Sequence, residues 1–453
     1  MAGETRSPRR PKSEPMKNLV LAAAFVLAAC GASPPPADQG YGPDPQLPAP
    51  KEDGALPTLR TADVVGWAAG EAPVAPQGFT VTRFAVGLAH PRWIYVLPNG
   101  DVLVAETSST PSTGGGFMGW ARNMVQRRAG AIADNANRVT LLRDADRNGQ
   151  ISANERFIFA QNLNQPFGMV QLGDHIYIAN TNAVLRFAYA PGATSVSNGE
   201  TILELPYNEG DNGHWTRSLV ANADGTKLYV AVGSATNIAD GGMAIEEGRA
   251  AIWEFNPDGS EARVYASGLR NPVGMAWAPG TTTLWVAVNE RDMLGDNLVP
   301  DYMTSVRDGA FYGWPYYYYG THRDERVPIP ANVRLREAIA PDYALGAHTA
   351  SLGLYFYEFD GFPERYWNGA FIGQHGSWNR SELAGYKVVF VPFTDGVPSG
   401  PPQDFLTGFL NERGQARGRP VGVSMDQTGA LLVADDAGDI IWRVAYPDVA
   451  PPQ

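Results

Sequence analysis

The 453-residue chain has a single cysteine, Cys30. Its body therefore has no intrachain disulfide, no paired-cysteine metal site and no thiol nucleophile. Histidine is scarce as well, with six residues, so any imidazole chemistry is confined to a few positions. Positive charge is in deficit: 35 Lys and Arg stand against 47 Asp and Glu, for a formal net charge of −12. The basic residues do not cluster apart from Arg9 and Arg10, which excludes a nucleic-acid partner. What the chain has in quantity is 50 Gly, 36 Pro and 11% aromatics, a composition that favours many tight turns between many short strands.

The apolar run in Met16 to Cys30, MKNLVLAAAFVLAAC, is too short to span a bilayer comfortably and reads as a secretion signal. Translation from Met1 or from Met16 fits this reading equally. The ending Leu27-Ala28-Ala29-Cys30 resembles a bacterial lipobox, which implies cleavage before Cys30 and lipidation of its thiol. The expected product is a periplasmic protein that meets the membrane only through that lipid. Residues 31–57 are rich in Pro, Ala and Asp without hydrophobic periodicity, and predict a disordered tether ahead of a body spanning 58–453.

One unit recurs through the body, a Gly or Asp turn followed by a short apolar run: PNGDVLVAET at Pro98, LGDHIYIANT at Leu172, ADGTKLYVAVGS at Ala223, PGTTTLWVAVNE at Pro279, WNGAFIGQHGS at Trp367 and QTGALLVADD at Gln427. Further strand-like runs lie between them, such as RVTLLRD, AIWEFNP and IIWRVAY. Six such units predict an all-β, six-bladed β-propeller, with a β-sandwich pair as the rival architecture. Long insertions at 109–137 and 301–349 are expected to form loops on one working face.

In a propeller, polar residues that follow the innermost strands are expected to converge on the channel. A blade-by-blade census gives Arg92, Gln165, His214, Arg217, Arg270, Asn271, His375, Arg417 and Arg419. Like charges gathered in a low-dielectric mouth repel, so convergent arginines call for a polyanionic ligand or for Asp and Glu on neighbouring loops. The planar guanidinium suits carboxylates in either case.

The ordered set GHWTRSLV, GLRNPVGMAW, NERDMLGDNLVPDY, FYGWPYYYYG and GQHGSWNR resembles the sorbosone dehydrogenase branch of the soluble, pyrroloquinoline quinone (PQQ)-dependent sugar dehydrogenases, over about Phe79 to Tyr446. The resemblance implies PQQ, with three carboxylates and an ortho-quinone, as the polyanion. It implies oxidation of a sugar at C1, with electrons passed to a quinone, a cytochrome or a dye. His214 would be the general base; Arg270 and Asn271 would hold the quinone oxygens, Gln165 the ortho-quinone side, and Arg417 and Arg419 the carboxylates. Arg92, Arg217 and His375 join the cofactor set by blade position, and Trp215 and His348 are the expected substrate contacts. A Ca²⁺ ion linked to the cofactor would fall at Asn289, Glu290 and Asp292, whose alternative role is an acidic loop pairing with Arg291. An aspartate that orients the base in the glucose-oxidising branch is Ser234 here, so Ser234 or Asp211 would have to take its place. A glutamine of that branch is likewise Val273.

A second Ca²⁺ signal is independent of the resemblance. In DADRNGQISANE, Asp144, Asp146, Asn148, Gln150 and Glu155 fall at positions 1, 3, 5, 7 and 12 of an EF-hand-like loop with Gly149 at 6. Its flanks read as strands, so the expectation is a Ca²⁺-clasped hairpin away from the channel, or a polar hairpin tip without metal. The run Tyr316–Tyr319 is open to sugar stacking or to packing, and Trp314 to packing. The rivals to an oxidoreductase are a cofactor-free binding propeller and a Ca²⁺-dependent lactonase propeller, since fold alone does not fix function.

Overall fold

A computed structural model describes residues 1, 3, 40–51, 58–111, 135–209, 212–331 and 333–446; Cys30, the lipobox and Asp211 lie outside them. Among the described residues no helix is long and apolar enough to cross a membrane. Residues 36–453 form one compact unit.

Each recurring unit of the sequence becomes the second strand of a blade: Val102–Glu106, His175–Ala179, Leu228–Val232, Leu284–Asn289, Ala370–Gln374 and Leu431–Asp435. Their apolar runs are short and continuous because each strand is covered by neighbouring blades on both faces. The innermost strands are Pro91–Val96, Met169–Leu172, Leu219–Ala221, Asn271–Trp277, Ser351–Phe356 and Pro420–Met425. The resulting six antiparallel sheets make the expected six-bladed propeller, three of the blades having their third and fourth strands directly in sequence. The ring closes in blade 6, where Thr80–Val86 from the start of the body pairs with Ile440–Ala445 from its end.

Blade junctions depend on close backbone approach near the axis. A Cβ on Gly353 would lie 2.3 Å from the Val421 carbonyl oxygen of the next blade, so that contact admits no side chain. Further out, the core is aromatic: Phe362, Tyr366, Phe371 and Phe405 pack together between blades 5 and 6.

The tether expectation is corrected for residues 40–51. Tyr41–Gly42 adds a fifth strand to blade 4, pairing with Leu345 and Ala344, and the Lys51 N–H donates to the Leu294 carbonyl at 2.8 Å. From residue 58 the chain crosses blades 5 and 6, with Arg60 N bonded to Trp378 O, Val65 N to Ala416 O and Val74 N to Thr407 O. These backbone bonds satisfy an irregular strap that has no periodicity to read. The census rule also needs correction, because the polar residues enter the innermost strand rather than leave it. Antiparallel pairing sets the start of that strand beside the end of the second strand, as in Asn271 opposite Asn289 and Pro420 opposite Asp435.

Candidate functional site at the propeller mouth

His214 stands on the segment that enters blade 3. Gly213, at φ +59, makes the turn, and a Cβ there would lie 1.9 Å from the Ala235 carbonyl oxygen. The imidazole Nδ1 lies 2.9 Å from the Ser234 carbonyl oxygen and 3.0 Å from Ser234 Oγ. That hydroxyl donates its own proton to the Thr236 carbonyl at 2.7 Å, so both atoms facing Nδ1 are acceptors. In the neutral ring the proton therefore sits on Nδ1 and the lone pair on Nε2, the form a general base requires. Glu246 fixes the turn behind, accepting from Ala235 N, Thr236 N and Thr236 Oγ1. Of the two candidate holders, Ser234 is in place; Asp211 lies outside the described residues.

Asn271 is brought beside His214. A Cβ on Gly233 would lie 2.5 Å from Asn271 Oδ1 and 2.6 Å from His214 Cβ, so the missing side chain opens the space that the two share. Asn271 Nδ2 donates to Asn289 Oδ1 at 3.3 Å, while its Oδ1 is buried without a hydrogen-bond partner. An unsatisfied buried acceptor next to a poised base is a place for a ligand hydroxyl or N–H.

Arg270 does not face outward as expected. Its five N–H groups are met by Asn237 O, Asn237 Oδ1, Asn289 O, Glu290 O and Asp292 Oδ2. It braces the loop rather than gripping quinone oxygens. His348 is corrected in the same way: Nε2 lies 2.8 Å from the Gly295 carbonyl and Nδ1 3.3 Å from Asp292 Oδ1, so both ring nitrogens are used within the protein. Burial opposes its charge, but the Asp292 carboxylate holds its pKa above the ordinary value.

The expected side-chain Ca²⁺ set is not assembled either. Glu290 turns away from the mouth and accepts from Arg291 N and Tyr319 N, and burial pushes its pKa up to about 7. Asp292 is paired with Arg270 and His348, and Asn289 Nδ2 donates to Ser351 O. The Asn289 and Glu290 carbonyls that remain are bonded to the Arg270 guanidinium, a cation already in place. These residues do not fit a side-chain cation site. Arg291 pairs with Asp324, not with these acids.

A cationic wall lies across the mouth, where blades 5, 6 and 1 meet. Asp436, 2% exposed, receives Arg92 Nη1 and His375 Nε2, and His90 Nε2 stands 3.3 Å from it. Arg419 donates to the His375 and Gly376 carbonyls and lies over the Tyr386 ring at 5.3 Å. One arginine and two histidines thus share one carboxylate, with Arg419 beside His375, and the buried Arg92 Nε has no hydrogen-bond partner. Burial, with Arg419 and Arg92 nearby, lowers His375 to about 3; burial also lowers His90 to about 4. Burial alone would raise Asp436, but His375, His90 and Arg92 hold it well below the carboxylate range. The wall reaches the His214 segment directly, since the Arg92 guanidinium sits 5.4 Å from the Trp215 ring centroid.

Gln165 completes the rim between blades 1 and 2, at φ +47, with Nε2 donating to Ser108 O at 2.9 Å. Three further expectations are corrected. Trp215 is 8% exposed, with its N–H on Ser109 Oγ and its ring edge-on to Phe167, so it is a wall and not an open stacking face. Arg217 is fully buried on backbone carbonyls. Arg417 leaves the mouth altogether and pairs with Glu71 of the strap at 3.3 Å. Trp314, Tyr316, Tyr318 and Tyr319 are all buried, which settles those side chains as packing.

At the opposite end of blade 1, Asp144, Asp146 and Glu155 bring carboxylate oxygens within 4.8 Å of one another. Asn148 N and Gly149 N both donate to Asp144, Asn148 Nδ2 donates to Asp146, and Gln150 N donates to Asn148 Oδ1. The flanks are the strands Arg138–Leu142 and Arg156–Ala160.

The census missed His90, Asp436, Asn237 and Arg249. Asp436 was within reach, because it directly follows the second strand of blade 6, the register that His375 holds in blade 5.

A six-bladed propeller with a histidine held through Nδ1 and a buried arginine-lined wall at its mouth defines a class of channel-mouth ligand site. The chain belongs to the TrAA12-like family, whose profile matches residues 118–305 and 332–446. It is 26% identical over 376 residues to an uncharacterised protein of Borreliella burgdorferi, covering 79% of this chain and 96% of that one. It is similar in fold to the holo form of the pyranose dehydrogenase PQQ domain from Coprinopsis cinerea, with TM-score 0.64 and 21% identity over 85% of this chain and 100% of the other. The calcium structure of the Trichoderma reesei family AA12 enzyme gives TM-score 0.66 and 20% identity, covering 83% and 97%.

Proposed function

We propose that the protein is a PQQ-dependent oxidoreductase that removes two electrons from the C1 hydroxyl of an aldose or of a hydrated sugar aldehyde such as sorbosone. The observation that carries this reading is the locked Nδ1–H tautomer of His214, set beside the orphaned Asn271 Oδ1 and opposite the cationic wall. The residues present fit a flat polycarboxylate: Arg92, Arg419 and His375 would meet its carboxylates, and Gln165 and Asn271 would fix its edge. PQQ, when bound, supplies an ortho-quinone that accepts hydride.

The remaining chemistry belongs to the chain. His214 Nε2 takes the C1 hydroxyl proton, and Ser234 keeps the ring turned toward the sugar. Asn271 Oδ1 accepts a hydrogen bond that orients the reacting pair, and Trp215 with Phe167 keeps water from that side. Electrons would then pass to a quinone, a cytochrome or an artificial dye. Secretion and a lipid anchor on Cys30 would place this activity in the periplasm. The test is titration of the apoprotein with PQQ, followed by dye reduction with a panel of aldoses. Saturable loading and sugar-dependent reduction are expected, and failure to bind PQQ overturns the reading.

We also propose that the blade 1 loop takes Ca²⁺ as a clasp, supported by the twelve-residue pattern and by the convergence of its three carboxylates. Added Ca²⁺ should raise the melting temperature of the wild type, and Asp144→Asn with Glu155→Gln should abolish that rise while leaving the Ca²⁺-free melt close to unchanged. A Ca²⁺-induced rise that survives in the double variant would place the ion elsewhere.

A further inference from the structure

The loop that carries His214 is gripped from behind by two arginines, and among the described residues every hydrogen-bond partner of both side chains is a neutral oxygen, Glu246 acting on Arg249 only through space. Arg217, 0% exposed, places Nη1 on the His214 and Thr216 carbonyls, each at 2.9 Å, and Nη2 on the Pro206 carbonyl at 3.0 Å. Arg249, 5% exposed, bonds the Asn212 carbonyl at 3.3 Å and the Gly233 carbonyl at 3.2 Å through Nη1, and Asn212 Oδ1 through Nη2. Burying guanidinium ions on neutral acceptors is expensive. An apolar pair of similar volume would fill the same space without that cost, but it would not hold backbone carbonyls at a set spacing.

The spacing is the point of the arrangement. Asn212 lies two residues before His214, and Gly233 directly precedes Ser234, the residue that holds Nδ1. One guanidinium nitrogen of Arg249 therefore ties the chain bearing the base to the chain bearing its holder. Arg217 adds a bond to the carbonyl of His214 itself, and His214 N donates to Ser234 O at 3.1 Å. Asn212 Nδ2 reaches Thr181 Oγ1 of blade 2 at 2.6 Å, so the tie extends across the blade junction.

We propose that Arg249, supported by Arg217, is a positioning residue for the proton-transfer step: its guanidinium fixes the separation of His214 and Ser234 and so selects the Nδ1–H tautomer. This rests on the reading of His214 as the base. Only a planar, multiply donating cation can span two carbonyls and an amide oxygen at once, so lysine is not an equivalent.

Two readouts test the proposal. In apoprotein with isotope-labelled histidine, ring-nitrogen NMR of His214, assigned by its loss in His214→Gln, should show one tautomer in the wild type and a mixture in Arg249→Met and Arg249→Lys. In the loaded enzyme, kcat should fall by about a hundredfold in Arg249→Met, with cofactor affinity and sugar KM changing by no more than about threefold. Millimolar guanidinium chloride should restore much of the lost kcat, and sodium chloride of equal ionic strength should not. Arg249→Lys keeps a cation in the cavity and serves if the methionine variant does not fold. A single Nδ1–H tautomer in both variants overturns the proposal, as does a loss of kcat with equal loss of cofactor binding and no rescue. If the wild type binds no PQQ, the oxidoreductase reading fails, and the NMR arm still decides the clamp.

Discussion

The His214→Ala variant is expected to load PQQ as the wild type does and to lose turnover by roughly three orders of magnitude, the upper part of the range for removal of a general base. The separation follows from the geometry. The imidazole makes its bonds to Ser234 O and Ser234 Oγ, whereas the groups that would meet a polycarboxylate, Arg92, Arg419 and His375, are anchored on Asp436 and on blade 5 carbonyls. Removing the ring leaves that wall untouched. Small amines or imidazole added to the variant should recover part of the rate, because the cavity left between Gly233 and Asn271 is open on the side that the ring occupied. Ser234→Ala is the milder companion: the Ser234 carbonyl still accepts from Nδ1, so the tautomer is kept and the loss should be about tenfold. Cofactor affinity measured by fluorescence quenching, beside single-turnover rates, separates the two effects. Full activity in His214→Ala would remove this residue from the chemistry.

The propeller was legible because its signal is local. Each blade announces itself by a turn and a doubly covered strand within about a dozen residues, and the pattern repeats six times. The site was legible only as a list of positions. His214 and Asn271 do come together, and Gln165, Arg92, His375 and Arg419 do line the mouth, but pairing decides what each can do, and pairing is long-range. Arg417 and Arg419 are two residues apart, and the sequence gives no reason to separate them. What separates them is Glu71, on a strap whose irregular course carries no period and so gives no sign of where it packs. Arg270 read as a ligand-facing cation because its acceptors, Asn237 and the 289–292 loop, belong to other parts of two blades. Asn289, Glu290 and Asp292 read as a metal set for the same reason: composition shows oxygen donors without showing that the Arg270 guanidinium and backbone N–H groups already hold them.

Asp436→Asn should be the most damaging single change to stability in the mouth, with a loss of about 3 to 5 kcal/mol, since it leaves the buried Arg92 guanidinium without its counter-charge. The same cluster predicts acid lability in the wild type. His90 and His375 titrate near 4 and 3 in the folded protein, below the ordinary 6.5, because burial disfavours their cations. Between those values and 6.5 the unfolded chain binds protons that the folded one refuses. Their contribution is therefore complete above 6.5 and declines as pH falls, by about 1.4 kcal/mol per histidine per pH unit. Asp436 acts in the same direction at lower pH: its folded pKa is depressed, so its contribution is present above the unfolded value of about 4 and is lost as pH falls below it. Melting temperature should thus drop steadily from pH 6.5 to 4 in the wild type. The double variant His90→Gln, His375→Gln should flatten that decline. Asp436→Asn should lower the whole curve while keeping the histidine slope, because burial and not the aspartate is what lowers both rings. Parallel wild-type and His90→Gln, His375→Gln curves would show that the decline arises from other groups, and an unchanged melt in Asp436→Asn would show that Arg92 is satisfied without its acid.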